Sequence, residues 1–153
     1  MSENFDPGHL NELLRRFDYA KELAARGEEH RRQMGETLLS FIEVRDSLER
    51  LLAAAEATGE GLPEKVGDWL TTLCLIARQF DKVLEDRGVT PIICLNSRVE
   101  PGRHQVVAAV ESPDVEEDTI VQMVIRGYEW DGEVLRKPSV IVARGARRSG
   151  EEI

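Results

Sequence analysis

From Pro7 onward, apolar residues recur at spacings of three and four, and no second proline appears until Pro63. One seam of a seven-residue repeat runs through Leu10, Phe17, Ala24, Arg31, Leu38, Arg45 and Leu52, and its companion through Leu13, Ala20, Gly27, Met34, Phe41, Leu48 and Ala55. The positions between are largely charged. The pattern predicts a long coiled-coil-like helix over residues 9–57, whose narrow apolar stripe meets another helix. Asp6-Pro7 suits its start, an acceptor for the cap followed by a proline at the first helical position. At 1.5 Å per residue such a helix is about 75 Å long, more than a small monomer can cover. The alternative is a set of shorter helices broken near Gly27, because glycine costs about 1 kcal/mol relative to alanine inside a helix.

Glu56 to Leu62, with Thr58-Gly59 and Gly61, reads as a helix breaker, and Pro63 as the N1 residue of a second helix over residues 62–88. Val66, Trp69, Leu70, Leu73, Ile76, Ala77, Phe80, Val83 and Leu84 give it a wider apolar stripe, ending at Arg87 with Gly88 as cap. So short a connection makes the two helices antiparallel neighbours. One such hairpin leaves an apolar face open, so a homodimeric four-helix bundle is expected, with Leu38, Phe41, Leu48, Leu52, Trp69, Leu73, Ile76 and Phe80 at its interface.

After Gly88 the period changes to that of strands. Ile92–Leu95, Gln105–Val110, Thr119–Arg126, Tyr128–Trp130, Glu133–Leu135 and Ser139–Ala143 are short runs rich in Val and Ile, separated by turn residues. Asp131-Gly132 is the strongest hairpin signal among them, since both central residues of the favoured turn need positive φ. The fold class is therefore α+β: two helices, then a small all-β domain over residues 89–144. Residues 1–8 are expected to be disordered and residues 145–153 to form a flexible tail.

Composition sharpens the picture. Twenty Lys and Arg against 29 Asp and Glu leave a net charge of -9, which argues against nucleic acid as a partner and for protein. Aromatic residues make up 5% and charged residues 32%, a balance suited to long solvated helices. No apolar run approaches the roughly 20 residues of a membrane span, so a cytoplasmic protein with no membrane partner is expected. His9, His30 and His104 are scattered, and Cys74 and Cys94 lack metal or redox spacing, so both thiols read as buried and reduced. No phosphate-cradling loop is present. The helix carboxylates read as a solvated face. Neither an enzyme, a metal nor a cofactor is indicated.

The β domain is less generic. Gly88-Val89, Val99-Glu100-Pro101-Gly102-Arg103-His104-Gln105, Gly127-Tyr128, Gly132-Glu133-Val134-Leu135-Arg136 and Val140-Ile141-Val142 closely resemble the pattern of the GrpE family in order and spacing. Asp46-Ser47-Leu48-Glu49-Arg50 resembles that family's first bundle helix. The resemblance implies a homodimeric nucleotide exchange factor whose β domain, the wing, presses on the nucleotide-binding domain of a DnaK-type chaperone and releases ADP. It also implies chaperone contacts at Val99, Pro101 and Val142, with Val124 nearby, outside the wing's own core. Gly88, at the helix-to-wing joint, and Glu133 count among the chaperone-facing positions that the resemblance implies. His104 and Arg136 occupy pattern positions that serve either the interface or the wing's internal hydrogen bonds. Glu133 stands where the family commonly has an Arg, which reverses a charge. That departure leaves open a second reading, a GrpE-like dimeric scaffold that has lost exchange activity.

Overall fold

The computed structural model describes residues 7–58 and 63–145. The expectations of a disordered start, a Gly59/Gly61 breaker and a flexible tail fall mainly on residues 1–6, 59–62 and 146–153, outside the described residues. Pro7 and Gly8 themselves are helical.

Helix α1 runs unbroken over Pro7–Ala57, 51 residues, so the alternative of shorter helices broken at Gly27 does not hold. Ion pairs one turn apart line the helix on either side of that glycine. Arg26 donates to Glu22 at 2.8 Å, and Arg32 donates to Glu29 at 2.9 Å and to Glu36 at 2.8 Å. Each such pair adds a few tenths of a kcal/mol, which together offset the glycine.

The chain divides into two compact units between Phe41 and Ile42. In the first, Leu10, Leu13, Leu14, Phe17 and Leu23 are exposed, whereas Leu38 is buried. The second holds the rest of α1, helix α2 (Glu64–Asp86) and six strands. Pro63 is the N-cap of α2 rather than its N1 residue: its backbone is extended, with φ -53° and ψ 144°, so the helix begins one residue later. At the other end Arg87 and Gly88 donate to the carbonyls of Leu84 and Glu85 at 3.0 and 2.9 Å. Gly88 then reverses the chain at φ +79°, and a Cβ there would collide with the carboxylate of Asp131. Glycine meets both demands.

Strands β1 (Val89–Pro91), β4 (Tyr128–Trp130) and β5 (Glu133–Arg136) form one antiparallel sheet in the order β1-β4-β5. The β4–β5 turn has Asp131 at φ 51° and Gly132 at φ 84°, the two positive angles read from the sequence. Strands β2 (Gln105–Glu111), β6 (Ser139–Arg144) and β3 (Ile120–Ile125) form the second sheet, with β6 central, parallel to β2 and antiparallel to β3. Ile92–Leu95, expected as a strand, is not one; the strand lies just before it. Ile92 and Cys94 are buried while Ile93 is 91% exposed, so the alternation is real. The Ile92 amide bonds the Gly127 carbonyl at 2.9 Å, yet residues 92–95 join no ladder.

Ile92, Cys94, Ile120, Val140 and Val142 make the core of the β domain, with Val99, Met123 and Val134 packed against it. The expectation that Val142 lies outside this core therefore fails: it is 6% exposed and pairs with Ile120 across the sheet. The period-two pattern of Ser139–Ala143 cannot tell which face is inward when a central strand is covered on both. Cys94 is buried, and burial pushes its thiol pKa up, whereas Cys74 is exposed, against expectation.

Two substitutions test this core. Val142→Ala should lower the unfolding free energy of the β domain by about 2 kcal/mol through lost burial and a cavity. Gly127→Ala should cost at least as much, since its Cβ would run into the Pro138 ring and lie 2.9 Å from the Arg136 carbonyl. Urea unfolding followed by tryptophan fluorescence measures both, and an unchanged midpoint in either variant would contradict the packing described.

Candidate functional site

Where α1, α2 and the β domain come together, charged side chains meet across three elements. On α1, Arg45, Asp46 and Glu49 lie within one turn, and residues three and four apart are neighbours on a helix surface. Arg45 is 7% exposed at a seam position that would ordinarily be apolar. Its guanidinium forks onto Asp81 of α2, Nε to Oδ1 at 2.8 Å and Nη2 to Oδ2 at 3.0 Å, while Nη1 donates to Glu49 at 2.6 Å. The bond to Asp81 raises the Arg45 pKa further, outweighing burial. A buried cation is tolerable only with such pairing.

The β domain answers with two arginines. Arg126 pairs with Glu49 at 2.8 Å. Arg136 donates Nη1 to Asp46 at 2.6 Å, and Nε and Nη2 to the Arg126 carbonyl at 3.1 and 2.7 Å. Its guanidinium carbon also lies 5.4 Å from the centre of the Tyr128 ring, a cation–π distance. Arg136 thus serves the internal hydrogen bonding of the unit. The helix carboxylates are not a uniformly solvated face: Asp46 is 23% exposed as a side chain, and Asp46, Glu49 and Asp81 all carry these bonds. Tyr128 is buried beside them and its hydroxyl has no hydrogen-bond partner among the described residues. Burial pushes its pKa up, and Asp46 and Asp81 add to the shift while Arg45 and Arg126 oppose it, so the phenol stays neutral at physiological pH.

Sequence reasoning missed Asp81 and Arg126, and placed no partner on Asp46 or Glu49. The available signal was the spacing of three between Asp46 and Glu49, which puts both carboxylates on one helix face, and the buried seam position of Arg45.

The six residues expected to touch a chaperone are not alike. Pro101 is exposed, and its carbonyl accepts from Lys137 Nζ at 3.5 Å. Val124 is 52% exposed and Glu133 is exposed in β5. Val99 is half-buried against the core, Val142 is inside it, and Gly88 forms the turn out of α2. His104 serves its own loop: Nδ1 accepts the Glu100 N–H at 2.9 Å, and the His104 N–H returns to the Glu100 carbonyl at 2.8 Å. Of the residues expected at a helix interface, Trp69 is 68%, Phe41 49% and Ile76 42% exposed. Leu48, Leu52, Leu73 and Phe80 are half-buried, and Leu38 is already buried. Among the described residues no group of three or more His, Cys, Asp or Glu is placed to hold a metal, and no helix is long and apolar enough to cross a membrane.

The GrpE family model matches residues 9–144. Protein GrpE of Methanosarcina acetivorans is 32% identical over 138 residues, covering 88% of this chain and 64% of the relative. Protein GrpE of Brachyspira hyodysenteriae is 29% identical, covering 71% of this chain and 53% of the relative, and that of Chlorobium luteolum is 32% identical, covering 70% and 54%. The chain thus spans between about half and just under two thirds of the length of these curated relatives. The match embraces α1 from its third residue, α2 and the six strands of the described residues, including the helix motif around Asp46 and the hairpin motif ending at Arg136 that bond each other, and on that ground this chain belongs to the GrpE family.

Proposed function

We propose that the chain is a homodimeric nucleotide exchange factor that binds the nucleotide-binding domain of a DnaK-type chaperone in the cytoplasm and accelerates ADP release without covalent chemistry. Membership of the GrpE family carries the reading. A factor of this kind works by differential affinity: it prefers the open nucleotide cleft and shifts the equilibrium by no more than that preference. A thousandfold faster release requires about 4 kcal/mol of it. The contact is assigned to the exposed apolar residues of the β domain, Pro101 and Val124, with Val99 half-buried and Glu133 as the charged member. Val142 supports that surface from within the core. Glu133, standing where the family commonly has an Arg, is the observation behind the second reading, a scaffold without exchange activity.

Dimerisation is proposed from apolar surface that one copy leaves open. Trp69, Phe41 and Ile76 sit on helices at coiled-coil spacing yet are 68%, 49% and 42% exposed in the single chain. A second copy of the chain is the occupant, because the same seam on a symmetry-related helix is its natural complement.

Stopped-flow release of a fluorescent ADP analogue from the DnaK of the same cell tests the activity. Wild-type protein should accelerate release, and no acceleration would leave the scaffold reading standing. Val124→Asp and Pro101→Asp should abolish acceleration while leaving the fold intact, since a charge desolvated without a partner costs a few kcal/mol in the complex.

The charge at Glu133 has its own test. Glu133→Arg should tighten binding to a typical DnaK at low salt, with the gain fading as ionic strength rises. Weaker binding to the cognate chaperone would mean that its surface carries the matching reversed charge.

Trp69→Asp should give a folded monomer in sedimentation, since Trp69 packs little within its own chain. A variant that stays dimeric at micromolar concentration would place the interface elsewhere.

A further inference from the structure

We propose that Asp46 and Glu49 of α1 are positioning residues, which clamp the β domain at a fixed angle to the helices so that its contact surface is braced against the chaperone it opens. The inference rests on the exchange reading for its consequence, but the clamp itself is a matter of geometry.

The β domain follows α2 through one covalent strand, Arg87–Gly88–Val89, with Gly88 at φ +79°. Apolar packing at that junction, with Leu84, Val89 and Tyr128 buried, holds the domain to α2 but is non-directional. Two further ties come from α1. Asp46 receives Arg136 at 2.6 Å and Glu49 receives Arg126 at 2.8 Å. Neither arginine is loose. Arg136 has Nε and Nη2 committed to the Arg126 carbonyl and its face toward Tyr128, so its remaining nitrogen, Nη1, is aimed before Asp46 arrives. A guanidinium fixed in this way loses little conformational freedom on pairing. The footing is braced as well, because Glu49 also accepts from Arg45, which forks onto Asp81 of α2. The three carboxylates and three guanidiniums therefore link α1, α2 and the β domain in one continuous chain of bonds, whose halves meet at Arg126 through its side chain and its carbonyl.

The ties are suited to orientation more than to stability. Arg126 and Glu49 are 40% and 37% exposed, and Arg136 and Asp46 22% and 23%. The open Arg126–Glu49 pair contributes little to folding free energy and the less exposed Arg136–Asp46 pair somewhat more, while the core of the β domain lies elsewhere, around Ile120 and Val140. Removing one carboxylate leaves Arg136 its carbonyl partner, so the fold should survive while the angle is released. For a factor that works by holding a lobe of its partner displaced, a swinging wing loses leverage even when its contact residues are intact.

The test uses the whole 153-residue chain. Spin labels at Lys82→Cys on α2 and Glu111→Cys on β2, in a Cys74→Ser background, report the distance between helix and β domain, the buried Cys94 staying unlabelled. Labelled chains are diluted with unlabelled ones so that only distances within one chain are read. Asp46→Asn and Glu49→Gln should each broaden the distance distribution, leave the unfolding midpoint nearly unchanged, and slow stimulated ADP release about tenfold. Asp46→Glu, which keeps the carboxylate, should restore much of both. Distributions as narrow as wild type in both neutral variants would overturn the clamp, whatever the exchange rates. Should Asp46→Asn fail to fold, Glu49→Gln and Arg126→Gln decide by the same readout. If the wild-type protein does not accelerate release at all, the exchange reading falls while the distance measurement still decides the clamp.

Discussion

A guanidinium placed away from bulk water must find acceptors for its donors, and in this chain that requirement organises the meeting of helix and sheet. Arg136 distributes its donors between the Arg126 carbonyl and Asp46 of α1. Arg45 does the same between Asp81 and Glu49. Glu49, which satisfies Arg45, is held in place to receive Arg126 as well, so the cost of drawing charge out of water is shared along a network. Hydrophobic burial is non-directional and sets no such angles. The apolar core of the β domain makes it fold; the charges determine where it stands with respect to Asp46 and Glu49.

The same division explains why one face of α1 mixes residues of opposite character. Ile42 is fully buried and Arg45, three residues on, nearly so, although one is apolar and the other carries a full charge. Their helix face meets two kinds of surroundings within a single turn, apolar packing and then the carboxylate of Asp81. At the far end of α2, Gly88 performs a related task by backbone shape, releasing the chain into β1 in a conformation that side chains resist.

Much of this was legible in the sequence, for identifiable reasons. Long helices declare themselves by period, and α1 and α2 lie within a few residues of where their apolar stripes place them. The Asp131-Gly132 turn follows from backbone sterics alone. What was hidden involves partners far apart in the chain. Nothing local distinguishes Ile92–Leu95, which alternates without pairing, from Val89–Pro91, which pairs. The parallel contact of β2 with β6 spans some thirty residues and leaves no local mark. Val142 was misplaced because a resemblance carries a position across without its burial, and a strand covered on both sides has no solvent face to correct it. Asp81 and Arg126 were overlooked because a charged residue on a helix or at a strand end looks alike whether it faces water or a counter-ion.

The strand order has a consequence for how the protein comes into being. In the β2-β6-β3 sheet the central strand is β6, the last of the six in the chain. As the polypeptide emerges vectorially from the ribosome, β2 and β3 are complete while the strand that must lie between them is still unmade. The helices, whose hydrogen bonds are local, form at once; this sheet has to wait for β6 to be released, with Val106, Val107 and Val110 of β2 meanwhile unpaired along their backbone. For the interval between synthesis and closure, the β domain of this GrpE family member is an incompletely paired chain whose apolar residues are open to whatever they meet.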